Sequence, residues 1–108
     1  MTDYVVVLVT AGSPEEAERI GRTVVEERLA ACANLLGRVR SIYRWQGAVE
    51  DAVEQLLLLK ARAADVEALA ARVRALHSYE VPEVVALPID GGSAPYLAWL
   101  AESTDRGD

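Results

Sequence analysis

From Cys32 to Trp45 apolar side chains fall on every second residue, and after a short polar break another strand-like run follows, so the centre of the chain reads as a long antiparallel hairpin. Ala33, Leu35, Val39, Tyr43 and Trp45 share one parity, with Asn34, Arg38, Arg40 and Arg44 on the other, and Gly37 suits a bulge. The segment "QGAVED" reads as the turn, and residues 52–62, "AVEQLLLLKAR", return as the second strand. Each strand then runs well beyond the usual ~5–6 residues, and the apolar pattern continues to the tip. The chain has six aromatic residues, two Trp and four Tyr, and spends two of them there. Left wet, such side chains forfeit roughly 1.5–3 kcal/mol apiece, and a long apolar strand edge invites pairing with another chain. The pattern therefore predicts that Tyr43 and Trp45 sit in an interface with another copy of the chain, in preference to the alternative that they fold back on their own subunit. It does not set the number of copies.

The flanking segments supply the rest of the sheet and its cover. Residues 4–10, "YVVVLVT", form a continuous β-branched run, the mark of a strand buried on both faces. Ser13, Pro14 and Glu16 form a helix start with a capping box, and Ala17, Ile20, Gly21 and Val24 recur at helical spacing to about residue 29. Asp65 is the expected cap of a second helix with Val66, Leu69, Val73 and Leu76 on its buried stripe, and His77 ends it, where a cation is favoured. "VVALPI" is a fourth strand that Pro88 places at an edge. Ser93 caps a short last helix carrying Tyr96, Leu97, Trp99 and Leu100, and residues 103–108 are expected to fray. The order βαββαβ plus a helix predicts an α+β, ferredoxin-like antiparallel sheet with helices on one face, in a single domain over residues 1–108.

Several function classes are disfavoured. No apolar run reaches the length of a membrane span, and an acid stands where a secretory leader would carry basic residues, so a soluble cytoplasmic protein without a membrane partner is expected. A formal charge of −6 opposes non-specific nucleic-acid binding. Cys32, the only cysteine, excludes an intrachain disulfide. Ser41, Cys32 and His77 have no nucleophile spacing, and "DGGS" is too short for a phosphate loop, so a binding protein rather than an enzyme is expected.

The segments "VLVT", "RLAACANLL", "SIYRWQG", "LLLLKAR", "LHSYEVPEVVALPI" and "GSAPYLAWL", in that order, resemble the CutA family of divalent-cation tolerance proteins over nearly the whole chain. The resemblance implies a ferredoxin-like homotrimer with interlocked hairpins, similar to PII-like signalling proteins, and a role in metal response or signal transduction. It implies copper or another divalent cation as a ligand, with no required cofactor, and carry-over places the metal ligands at Cys32 and His77. One Cys and one His do not fill the three or four positions such an ion takes, so other copies or carboxylates such as Glu80 and Glu83 have to complete the set. Equally, a lone Cys after "LAA" behaves as a small buried hydrophobe, and a His at a helix end as a cap. An inter-subunit cleft lined by Trp45, Lys60, Tyr79 and Glu83 is the second candidate site, suited to a small anionic or zwitterionic molecule. Lys60 can instead serve an interface salt bridge.

Overall fold

The computed structural model describes residues 3–107, and the chain follows the expected order: β1 (Tyr4–Ala11), α1 (Pro14–Glu26), β2 (Cys32–Trp45), β3 (Ala48–Arg62), α2 (Val66–Leu76), β4 (Val84–Pro88) and α3 (Ala94–Ser103). The strands form one antiparallel sheet in the order β2-β3-β1-β4, which puts β4, with its Pro88, on an edge. The fold is the ferredoxin-like α+β arrangement.

Odd-numbered residues of β1 (Val5, Val7, Val9, Ala11) face Ala61, Leu59 and Leu57 and, with Ala17, Ile20 and Val24 of α1 and Leu69 and Val73 of α2, make the core. Leu57, Ile20 and Leu69 are wholly buried, each worth roughly 1.5–3 kcal/mol of burial. The even-numbered face of β1 is different. It is only partly covered, and beside it on β4 Val85 and Leu87 remain about half exposed. The β-branched run of β1 therefore does not signify burial on both faces within one chain: α1 and α2 cover one side, and the other side is an apolar surface.

The hairpin turn is tighter than expected. Gln46 (φ 49°) and Gly47 (φ 83°) alone make it, and Ala48–Asp51 already belong to β3. Both turn residues being left-handed matches the strand twist, as in a type I′ turn. Gly37 (φ 97°) marks a bulge in β2: Leu35 lies opposite Leu57 while Gly37 lies opposite Leu56, leaving Leu36 as the extra residue.

That bulge corrects the single parity expected along β2. Ala33 and Leu35 pair with Leu59 and Leu57 on the helix-covered face. Beyond the bulge Val39, Tyr43 and Trp45 pair with Glu54, Glu50 and Ala48, on the opposite face, and Arg38, Arg40 and Arg44 take the other side. Arg40 and Asp51, diagonal neighbours on that side, form a two-pronged ion pair at 2.9 and 2.6 Å.

Two helix expectations change. α1 stops at Glu26 because Arg28 turns left-handed (φ 60°) and the amides of Leu29 and Ala30 return to the Val24 carbonyl. Asp65 precedes α2 but its carboxylate does not cap it; it holds Arg106 through two bonds of 3.1 Å. Towards the chain's end Thr104 is buried and accepts from Arg62 Nε at 2.8 Å, and Arg106 is tied to Asp65. Asp108 lies outside the described residues.

Candidate functional site

The segment between α2 and β4 passes round the end of the sheet to the face that the helices leave open, and two buried groups fix its path. His77 ends α2, yet its ring is fully buried and serves as no cap. The Tyr79 amide donates to Nδ1 at 3.0 Å, so the ring proton sits on Nε2, which donates to the Thr10 carbonyl at 2.6 Å. Glu16 is the second anchor. Ser13 Oγ accepts from its amide, as a capping box requires, but the Glu16 carboxylate reaches past Ser13 to accept from Gly12 N–H (2.9 Å) and from Ser78 N–H (2.6 Å), far along the chain. Burial pushes this carboxyl up; the bonds from Gly12 and Ser78 outweigh it and hold it below the usual range.

With its start so fixed, the segment lays Tyr79 over Gly12, where a Cβ would meet the ring at 3.4 Å. The Tyr79 hydroxyl donates to Glu54 Oε2 at 2.9 Å. Burial, then the bond to Glu54, raises the phenol far above its ordinary pKa, so it stays a donor throughout the physiological range. Beneath this arch lies a cavity of about 670 Å³. Its aromatic walls are Tyr43, Trp45 and Tyr79, and its carboxylates are Glu54, Glu80 and Glu83. Thr10 and Ser41 add hydroxyls. The bulge makes this gathering possible, because only beyond it do Ser41, Tyr43 and Trp45 share a face with Glu54.

Of the residues expected at a cleft, Trp45, Tyr79 and Glu83 line this cavity and Lys60 does not. Lys60 lies opposite Cys32 and donates to Asn34 Oδ1 at 2.6 Å, the same oxygen that the Cys32 thiol approaches at 3.5 Å. Glu54, six positions from Lys60 on β3, is roughly 20 Å away along the strand. Glu54 itself was not among the expected site residues. The signal for it was present: an acid at the mouth of the apolar run "QLLLLKA".

The residues named for a metal do not meet within one chain. Cys32 lies opposite Lys60, and His77 is bound to Thr10, which lies opposite Leu56. Four positions on β3 separate the two, roughly 13 Å, against metal–ligand distances near 2 Å. Both His77 nitrogens are already occupied by backbone groups, and among the described residues no three His, Cys, Asp or Glu side chains converge on a metal position. A Cys32–His77 site therefore does not fit the single chain. Among the described residues no helix is long and apolar enough to cross a membrane.

Comparison with known proteins agrees with this architecture. The family model for the CutA1 divalent ion tolerance protein matches residues 5–103. The divalent-cation tolerance protein CutA of Thermus thermophilus is 52% identical over 99 residues, covering 92% of this chain and 96% of that protein. The chloroplastic CutA of Arabidopsis thaliana is 45% identical over 100 residues, covering 93% of this chain; this chain spans about 55% of that relative's length. Among solved structures, CutA1 from Oryza sativa superposes with a TM-score of 0.93 at 42% identity, covering 98% of this chain and 97% of that one. Fold, segment order and sequence thus agree over nearly the whole length, and the chain belongs to the CutA1 divalent ion tolerance family.

Proposed function

We propose that the protein serves in the cytoplasmic response to divalent cations as a homotrimer that binds and signals rather than catalyses. The observation that carries the reading is the apolar surface that α1 and α2 leave uncovered, on the open face of the sheet at β4 and on the helix side of the hairpin beyond their reach. On β4 Val85 and Leu87 are about half exposed, and on the hairpin Ile42, Val49 and Val53 are more than half exposed. An uncovered surface of this kind marks an interaction site, and on an edge-bearing sheet it points to further copies of the chain. Names of relatives such as the divalent-cation tolerance protein of Thermus thermophilus support the cation role. Copper is the candidate effector. One chain gathers no metal cluster among its described residues, so this role calls for donors pooled from several copies, Cys32 among them, or completed by carboxylates such as Glu80 and Glu83. Light scattering across a micromolar concentration series tests the assembly: a trimer mass is expected, and a monomer mass refutes it.

A second reading is favoured by the cavity under Tyr79. A PII-like sensor would hold a small molecule there, beside the hairpin that a neighbouring copy covers, with metal incidental.

A further inference from the structure

We infer that the cavity under Tyr79 takes a small organic cation, carrying a guanidinium or primary ammonium group, and not an anion. The inference rests on the second reading above, that this cavity is a ligand site, and names its ligand class. Three carboxylates, Glu54, Glu80 and Glu83, line the cavity, and among the described residues no Lys or Arg does. Glu54 is only 7% exposed, so its carboxyl group is held largely out of water. Its one hydrogen bond among the described residues is from Tyr79, a neutral donor, and none of the three carboxylates has an ion-pair partner there. A buried charge without a counter-charge is costly, and the cavity leaves space for the missing cation beside it.

The chemistry of the walls selects the kind of cation. A bare metal ion needs several donors converging at bonding distance, and no such cluster exists among the described residues. Here the carboxylates are spread across a strand and a loop, and the faces between them are the rings of Tyr43, Trp45 and Tyr79. Rings attract a cation of low hydration, and a planar guanidinium can stack on a ring while its edge donates to a carboxylate. Thr10 and Ser41 offer further oxygens for N–H donors. An anionic ligand would meet three like charges and no cation, since Lys60, the group expected to attract it, is engaged with Asn34 on another part of the sheet.

Isothermal calorimetry at low salt with agmatine and with glutarate, of similar length and opposite charge, tests this on the assembled protein. Agmatine is expected to bind, weakening as salt is added, and glutarate is not. Glu54→Gln keeps an acceptor for Tyr79 and is expected to weaken agmatine by at least about tenfold. Agmatine should alter the fluorescence of Trp99→Phe, in which Trp45 remains, and leave that of Trp45→Phe unchanged. Glutarate binding that Glu54→Gln strengthens or leaves intact, with no agmatine binding, overturns the cation assignment while the ligand-site reading stands. If neither compound binds, the two fail together. If agmatine binds only after Arg38→Ala and Arg44→Ala are introduced, the cation is an arginine of a second copy, and the proposal of a free ligand is wrong.

Discussion

Replacing Glu16 by Ala removes a single side chain that ties the start of α1 to the segment after α2. Glu16 is 5% exposed and accepts from Gly12 N–H at 2.9 Å and Ser78 N–H at 2.6 Å. Hydrogen bonds to a charged group contribute about 1.5–3 kcal/mol each, and donors left without a partner in a buried place add to the loss. Ala returns a few tenths of a kcal/mol in helix propensity (~0.5 at most), and water reaching the freed amides offsets more. The expected net loss is about 3 kcal/mol, a fall in urea midpoint of roughly 1–3 M for ordinary slopes. Far-UV circular dichroism at one fixed chain concentration reads it, since association makes midpoints concentration-dependent. Glu15→Ala is the control: an exposed neighbour in the same turn, expected to shift stability by less than about 0.5 kcal/mol. The pH dependence has a definite sign. The folded Glu16 carboxyl lies below its ordinary value, so its contribution is complete above the unfolded-state pKa and is lost as pH falls through the folded one. The gap between parent and Glu16→Ala is therefore widest at neutral pH and narrows in acid. A Glu16→Ala midpoint equal to that of Glu15→Ala, or a gap that does not change with pH, refutes this account of the anchor.

Trp45→Ala is expected to loosen the assembly by about 2 kcal/mol or more, as interface aromatics do, whereas Arg44→Ala, on the opposite side of the hairpin, is expected to do much less; sedimentation against concentration separates them. Cys32→Ser should leave the fold intact and weaken copper binding by at least about tenfold if pooled thiols are the donors; an unchanged calorimetric titration removes Cys32 from that role. Thr104→Val deletes the acceptor for Arg62 in a buried place and should lower stability by about 1–3 kcal/mol; a midpoint equal to the parent's shows that the tail bears no load.

The elements were legible where the governing physics is local. Ser13 and Ser93 cap as their positions predict, and the stripe Ala17, Ile20, Gly21, Val24 is buried as its spacing predicts. What the sequence did not reveal depends on partners far along the chain. Asp65 has the local form of a cap, but Arg106, distant in sequence, claims its carboxylate. His77 has the local form of a helix-end cation, but Thr10 and Tyr79 take both its nitrogens. Gly37 was readable as a bulge; its effect on every later side chain of β2 required the pairing with β3, and the composition of the cavity follows from it. Lys60 was expected beside Tyr79, and only the register shows that it lies opposite Cys32, six positions along β3 from the Glu54 that holds the Tyr79 hydroxyl.

The two-residue turn at Gln46 and Gly47 also bears on the order of folding. β2 and β3 are contiguous in the chain, so they can close from the tip inward without help from a distant segment, on the ~1–10 μs scale of hairpins. The central strand β1 meets β4 only when residues as far apart as Val5 and Pro88 are brought together, over just five paired positions, and such non-local closure is the slow part of folding. In that order of events a folding chain would display Ile42, Val49 and Val53 on its hairpin before the rest of its sheet is complete. Encounters between copies at that stage compete with completion of the monomer fold, and the yield of refolding falls as chain concentration rises.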